Sequence, residues 1–149
     1  MLTTALFAMC KVSPIIDPIT ITADTDGTNV IDNLGYIELM IIAHIGVTAA
    51  TLDGSNYIEL QLQHSNTLTD GDYVAVPNDD LSKYVTGSAV GTFALINADS
   101  KDNTVYFTAY KGMKRYVRLK INETGTVVGL PIGVLALQVP SCLPANLHT

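Results

Sequence analysis

From Tyr57 to His64 the chain reads Tyr-Ile-Glu-Leu-Gln-Leu-Gln-His, an unbroken alternation of apolar and polar side chains. A period of two puts Ile58, Leu60 and Leu62 on one face of a strand and Tyr57, Glu59, Gln61 and Gln63 on the other. A helix would scatter the same residues around its axis, so this stretch folds as a half-buried strand. A strand needs neighbours, and the rest of the sequence supplies them. Tyr36 to Ile45 is a long strand with Ile37, Leu39, Ile41, Ala43 and Ile45 on one face and Tyr36, Glu38, Met40, Ile42 and His44 on the other. The second face turns apolar in its middle, which predicts a central strand partly covered on both sides.

Thr104 to Asn122 reads as two strands joined by a tight turn. Val105, Phe107 and Ala109 alternate with Tyr106, Thr108 and Tyr110, then Val117, Leu119 and Ile121 with Tyr116, Arg118 and Lys120. Lys111-Gly112-Met113 offers a glycine for the positive φ of a short hairpin turn. Ile19-Thr-Ile-Thr, Tyr73-Val-Ala-Val and Gly91 to Asn97 read as further short strands, and Val127 to Val139 as a long last strand broken at Pro131 and Gly133. Turn clusters lie between them, notably Asp24-Thr-Asp-Gly-Thr-Asn, Asp53-Gly54 and Asp70-Gly71-Asp72. A helical turn is predicted only after Pro77, capped by Asn78, Asp79 or Asp80 and running to about Tyr84.

About eight strands with minimal helix predict an all-β fold, a two-sheet antiparallel β-sandwich of jelly-roll type. The 149 residues fit one such domain, at residues 20–139. Residues 1–19 are expected to be irregular, because Pro14 and Pro18 exclude a helix or a central strand. They form either an arm on a neighbour or an irregular edge segment, and residues 140–149 an irregular tail.

Charged residues make up 15% of the chain against 48% hydrophobic, where a soluble domain usually carries about 25% charged. Such a surface is either neutral and polar or partly hidden against a partner. The net charge of −6 argues against nucleic acid as that partner. No stretch approaches the ~20 apolar residues of a membrane helix. The start, Met1 to Cys10, lacks the basic region of a secretory signal, so synthesis in the cytoplasm is expected. Cys10 and Cys142 are either small buried hydrophobes or a disulfide between the termini.

Residue types for chemistry are few. His44 lies on a strand among apolar neighbours, as core or interface histidines do. His64 sits beside Ser65, with Asp70 and Asp72 beyond, but no nucleophile elbow accompanies this set. Neither cysteine nor histidine spacing suits zinc, and Asp24-Thr-Asp-Gly-Thr-Asn imitates only half of a calcium loop. No catalytic residue, metal or cofactor is therefore expected. The distinctive feature is basic: Lys111, Lys114, Arg115, Arg118 and Lys120 place five of the eight basic residues within ten positions. Such a face either protects a strand edge from aggregation or forms an interface. In the second reading Lys111, Lys114, Arg115 and Arg118, with Tyr110 and Tyr116 beside them, meet the acidic loops of another copy.

Tyr110-Lys-Gly-Met-Lys-Arg-Tyr-Val-Arg-Leu-Lys-Ile, preceded by Tyr57-Ile-Glu-Leu-Gln-Leu-Gln-His-Ser and followed by a glycine-containing apolar strand, resembles small structural proteins of tailed bacteriophages. The likeness spans roughly residues 36–138, and residues 1–19 fall outside it. It implies a virion protein on the head surface, a capsid decoration or cement protein. Its partners would be the major capsid protein and its own copies as homotrimers, without enzymatic activity. The alternative is a β-sandwich on the virion surface that recognises a host glycan or receptor. That reading asks for an exposed aromatic platform, and the chain has no Trp.

Overall fold

The computed structural model describes residues 9–27, 29–126 and 129–141. These form ten strands: β1 (Lys11–Ile21), β2 (Thr25–Asp26), β3 (Ile31–Asp32), β4 (Tyr36–Ile45), β5 (Tyr57–Ser65), β6 (Val74–Ala75), β7 (Thr92–Ile96), β8 (Val105–Tyr110), β9 (Tyr116–Thr124) and β10 (Leu130–Pro140). One sheet runs β1-β10-β4-β8. The other runs β2-β9-β5-β6, with β3 also on β9 and β7 also on β5. All pairings are antiparallel.

The pairs β1–β10, β2/β3–β9, β4–β8 and β5–β6/β7 are the rungs of one long ribbon folded back on itself. Rolling that ribbon adds the contacts β10–β4 and β9–β5. With β2/β3 and β6/β7 each counted as one interrupted strand, eight strands remain, and their order is that of a jelly roll. The inward faces follow the alternation: Leu39, Ile41, Ala43 and Ile45 of β4 and Val134 and Ala136 of β10 pack against Ile58, Leu60 and Leu62 of β5 and Val117, Leu119 and Ile121 of β9. Each buried Leu or Ile contributes about 1.5–3 kcal/mol.

Several local expectations are corrected. Residues 104–122 do not form a hairpin: β8 pairs with β4 in one sheet and β9 with β5 in the other, so residues 111–115 cross between sheets. Gly112 is not among the glycines of positive φ. It is needed because a Cβ there would lie 2.6 Å from the Tyr110 ring. On β8 the buried residues are Thr108 and Tyr110, while Val105 and Phe107 are exposed. Ile37, expected to face inward, is also exposed.

β1 starts at Lys11 and passes both prolines through two register shifts, at Pro14/Ile16 and Ile16/Ile19. As an edge strand paired in its sheet with β10 alone, it tolerates missing N–H groups. β10 runs through Pro131 and Gly133 unbroken. Pro131 accepts the Gly46 N–H at 2.8 Å, and the Gly46 carbonyl takes the Asn103 N–H at 3.2 Å, so the missing proline donor leaves no gap there. The turn after Pro77 is a single 3-10 turn, Asn78–Asp80, without a side-chain cap, and does not reach Tyr84. The Asn78 side chain instead accepts the Gly91 N–H at 2.9 Å. Similar turns lie at Asp70–Asp72 and Asp99–Lys101.

Candidate functional site

Cα partners in adjacent strands share a face, so the register reads out the outer surface of each sheet. On the β1-β10-β4-β8 sheet one cross-strand row is Val12, Leu137, Met40 and Ala109. The next row is Pro14, Leu135, Ile42 and Phe107, and a third is Gly133, His44 and Val105. Val12, Leu135, Val105 and Phe107 are 61%, 46%, 54% and 44% exposed, so water and not protein covers them. Four strands and three rows span roughly 300 Å² of projected area. That lies in the range of the largest apolar patches on soluble monomers, which often serve a function. The ammonium of Lys83 sits 3.5 Å from the Phe107 ring centre at the edge of this face. His44 is exposed within the face rather than packed in a core.

The other sheet is polar outside. Gln63 stands opposite Arg118, Gln61 opposite Lys120, and Glu59 opposite Asn122. Arg118 is held within the chain: its Nε donates to Gln63 Oε1 at 2.8 Å, Nη1 pairs with the Asp70 carboxylate, and the guanidinium lies 4.2 Å from the Tyr73 ring centre.

The remaining residues of the expected basic interface separate into two groups. Arg115 forms a two-pronged ion pair with Asp32, Nε at 2.9 Å and Nη2 at 2.7 Å, and lies over the Tyr116 ring. This pairing holds the Asp32 carboxyl below the usual carboxylate range and raises the Arg115 guanidinium. Both arginines expected to meet a neighbour's carboxylates thus have carboxylates in their own chain. Tyr110 is buried, and its hydroxyl lies 2.9 Å from His64 Nδ1 and accepts the Lys114 N–H at 3.0 Å. The same hydroxyl lies 3.4 Å from the Lys114 carbonyl, a second acceptor for its proton beside Nδ1. Burial first, and then the nearby Lys114 charge, push the His64 pKa down. Lys111 and Lys114 flank this connection at the surface, Lys111 exposed and Lys114 half-buried, with Met113 between them 99% exposed.

These residues line one wall of a groove of about 390 Å³; the other wall is the β3–β4 loop with exposed Leu34 and the start of β4 with exposed Ile37. Ile37, Tyr110 and Lys111 also line a second hollow that runs on to Met40 and Leu137, so the groove opens onto the apolar face.

The triad-like set around His64 does not assemble. His64 binds Tyr110, Ser65 Oγ accepts the Thr67 N–H at 3.0 Å, Asp72 accepts the Thr67 hydroxyl at 2.5 Å, and Asp70 pairs with Arg118. In the calcium-like run, Asp24 accepts the Glu123 N–H at 2.6 Å and Asp26 lies in β2. Among the described residues no three His, Cys, Asp or Glu side chains group to hold a metal, and no helix is long and apolar enough to cross a membrane. Cys142, and with it the pairing of Cys10 and Cys142, lies outside the described residues, as does His148.

Sequence reasoning found the basic cluster and read the second face of β4 as apolar and partly covered, but missed the four-strand apolar face to which it belongs. Its signal was present as continuous apolar runs, Leu39-Met-Ile-Ile-Ala and Val134-Leu-Ala-Leu, where a half-exposed strand would alternate. No protein-family model matches the chain, and no curated protein matches it.

Proposed function

We propose that this chain is a structural protein of a tailed-bacteriophage virion, a head decoration protein without catalytic activity. It lays the outer face of the β1-β10-β4-β8 sheet on the capsid and associates with its own copies as a trimer. The observation that carries this reading is the apolar outer face, with Leu135, Ile42 and Phe107 side by side across three strands. A sheet with the core on one side and exposed Val12, Leu135, Val105 and Phe107 on the other is suited to be buried by a partner. The low content of charge and the resemblance of the Tyr110–Ile121 stretch to phage structural proteins point the same way. Mechanically, such a protein bridges neighbouring shell subunits, and its binding free energy opposes the outward pressure of a packaged genome.

The test is sedimentation of the purified chain with DNA-free heads of the phage whose genome carries it. Saturable binding at a fixed number of copies per capsomer is expected, and absence of binding would overturn the assignment. The glycan-binding alternative draws on the polar hollow beside Tyr57, Glu59 and Asn97 on the other sheet. Tyr57 is half-buried there and offers a partial stacking surface. Retention on a glycan array together with failure to bind heads would favour it.

A further inference from the structure

We infer that copies of this chain associate by seating the Asn66–Asp72 loop of one copy in the groove between residues 33–37 and 110–115 of the next. The inference rests on the self-association in the reading above and names the surfaces that carry it. The groove offers exposed Leu34, Ile37 and Met113 together with Lys111 and Lys114, and no acidic side chain lines it among the described residues. A fitting occupant therefore brings an apolar anchor and negative charge on one short segment.

The chain carries such a segment on its own surface. Leu68 is 66% exposed, Asp72 is exposed, and the Asp70 side chain is 85% exposed despite its pairing with Arg118. Within one copy the loop meets the groove wall only at its first residue, where Asn66 Oδ1 accepts the Arg115 N–H at 3.3 Å, and none of Leu68, Asp70 and Asp72 lines the groove. Arg118 holds Asp70 on the outer face of the β2-β9-β5-β6 sheet, and Asp72 bonds back to Thr67. The groove opens instead toward the outer face of the other sheet. Occupation thus requires a second copy, and the contact joins two unlike surfaces. A heterologous contact closes into a ring when its rotation divides a full turn, by a third in a trimer, and runs on as a filament otherwise.

The experiment is solution mass by light scattering at about 0.05 M and about 0.5 M salt, where exposed charge pairs are screened least and most. The chain itself is expected at a multiple of 15.9 kDa at low salt, shifting toward monomer at high salt. Lys111→Glu with Lys114→Glu reverses the groove, and Thr69→Lys with Asp72→Lys reverses the loop while Leu68 stays as its apolar anchor. Each pair is expected to weaken association at least tenfold. A chain carrying all four substitutions regains the wild-type mass. Met113→Glu, at a residue with no part in the fold, is expected to act in the same direction as the groove pair and stands in for it if that chain melts early. A monomeric wild-type chain at both salts, association indifferent to both reversals, or no recovery in the four-fold variant would each overturn the inference. Head binding reads the separate sheet face: Ile42→Glu is expected to abolish it while leaving the mass unchanged, so failure of the shell-docking reading and failure of this contact are told apart.

Discussion

The two outer faces of this sandwich solve the same problem in opposite ways. On the β2-β9-β5-β6 sheet every second residue of β5 and β9 is polar, and the long side chains are tied to one another: Arg118 to Gln63 and Asp70, Gln61 to the Val90 carbonyl at 2.7 Å. That face is finished within one chain. On the β1-β10-β4-β8 sheet the equivalent positions are Met40, Ile42, Leu135, Leu137, Val105 and Phe107; Leu135, Val105 and Phe107 are exposed, with the Lys83 ammonium over the Phe107 ring. Isolated exposed apolar residues need no explanation on a protein surface; contiguous rows across four strands make a patch of the size that often serves a function. One sheet bears solvent, and the other is shaped to be covered.

The largest expected effect separates the inner face of a strand from its outer face. Leu60→Ala, fully buried between the sheets, should cost about 2–5 kcal/mol in urea unfolding. Leu135→Ala on the outer apolar face should cost under about 1 kcal/mol. Equal losses would mean that the outer face is already packed in the free protein and would end the comparison.

Tyr110→Phe should come next, at about 1–2 kcal/mol, because it takes the hydroxyl from His64 Nδ1 and leaves the Lys114 N–H without its acceptor. A smaller loss, about 1 kcal/mol, is expected of Arg118→Met, which keeps an apolar stem and removes the guanidinium with its bonds to Gln63 and Asp70 and its contact with the Tyr73 ring. No loss would show that this network is incidental and that the polar face is merely solvated.

The pH dependence is the subtlest signal. The folded pKa of His64 lies below its unfolded value near 6.5, so below that pH the unfolded chain binds more protons than the folded one. The stabilisation is therefore complete above about pH 6.5 and is lost as pH falls through the folded pKa. Denaturant midpoints measured from pH 7.5 downward should drop faster for the wild-type chain than for His64→Gln. Parallel curves would show that the histidine is neutral by no constraint of the fold.

How much of this was legible in the sequence depends on which side of a strand is asked about. The alternation of β5 and β9 named the inward residues Ile58, Leu60, Leu62, Val117, Leu119 and Ile121, because one wet face leaves a clean period of two. The jelly roll followed from strand number and turn chemistry. The link from β8 to β9 was misread because two alternating strands joined by a short glycine-containing segment look alike whether the chain turns back in one sheet or crosses to the other. Tyr110 was read as an interface ring because its burial and the bond of its hydroxyl to His64 are fixed by residues far away in sequence. The prolines of β1 suggested disorder of pairing, yet an edge strand needs donors on one side only. The basic cluster was legible as a cluster, but its division between Arg115 and Arg118, paired within the chain, and Lys111 and Lys114, facing the groove, depends on where Asp32 and Asp70 fall in space.

The claim that one sheet face is built to be covered is tested most directly at Ile42, in the middle strand of the middle apolar row. The account predicts that Ile42→Glu folds with a melting temperature close to that of the wild-type chain and no longer sediments with phage heads. Head binding by Ile42→Glu equal to that of the wild-type chain would contradict it.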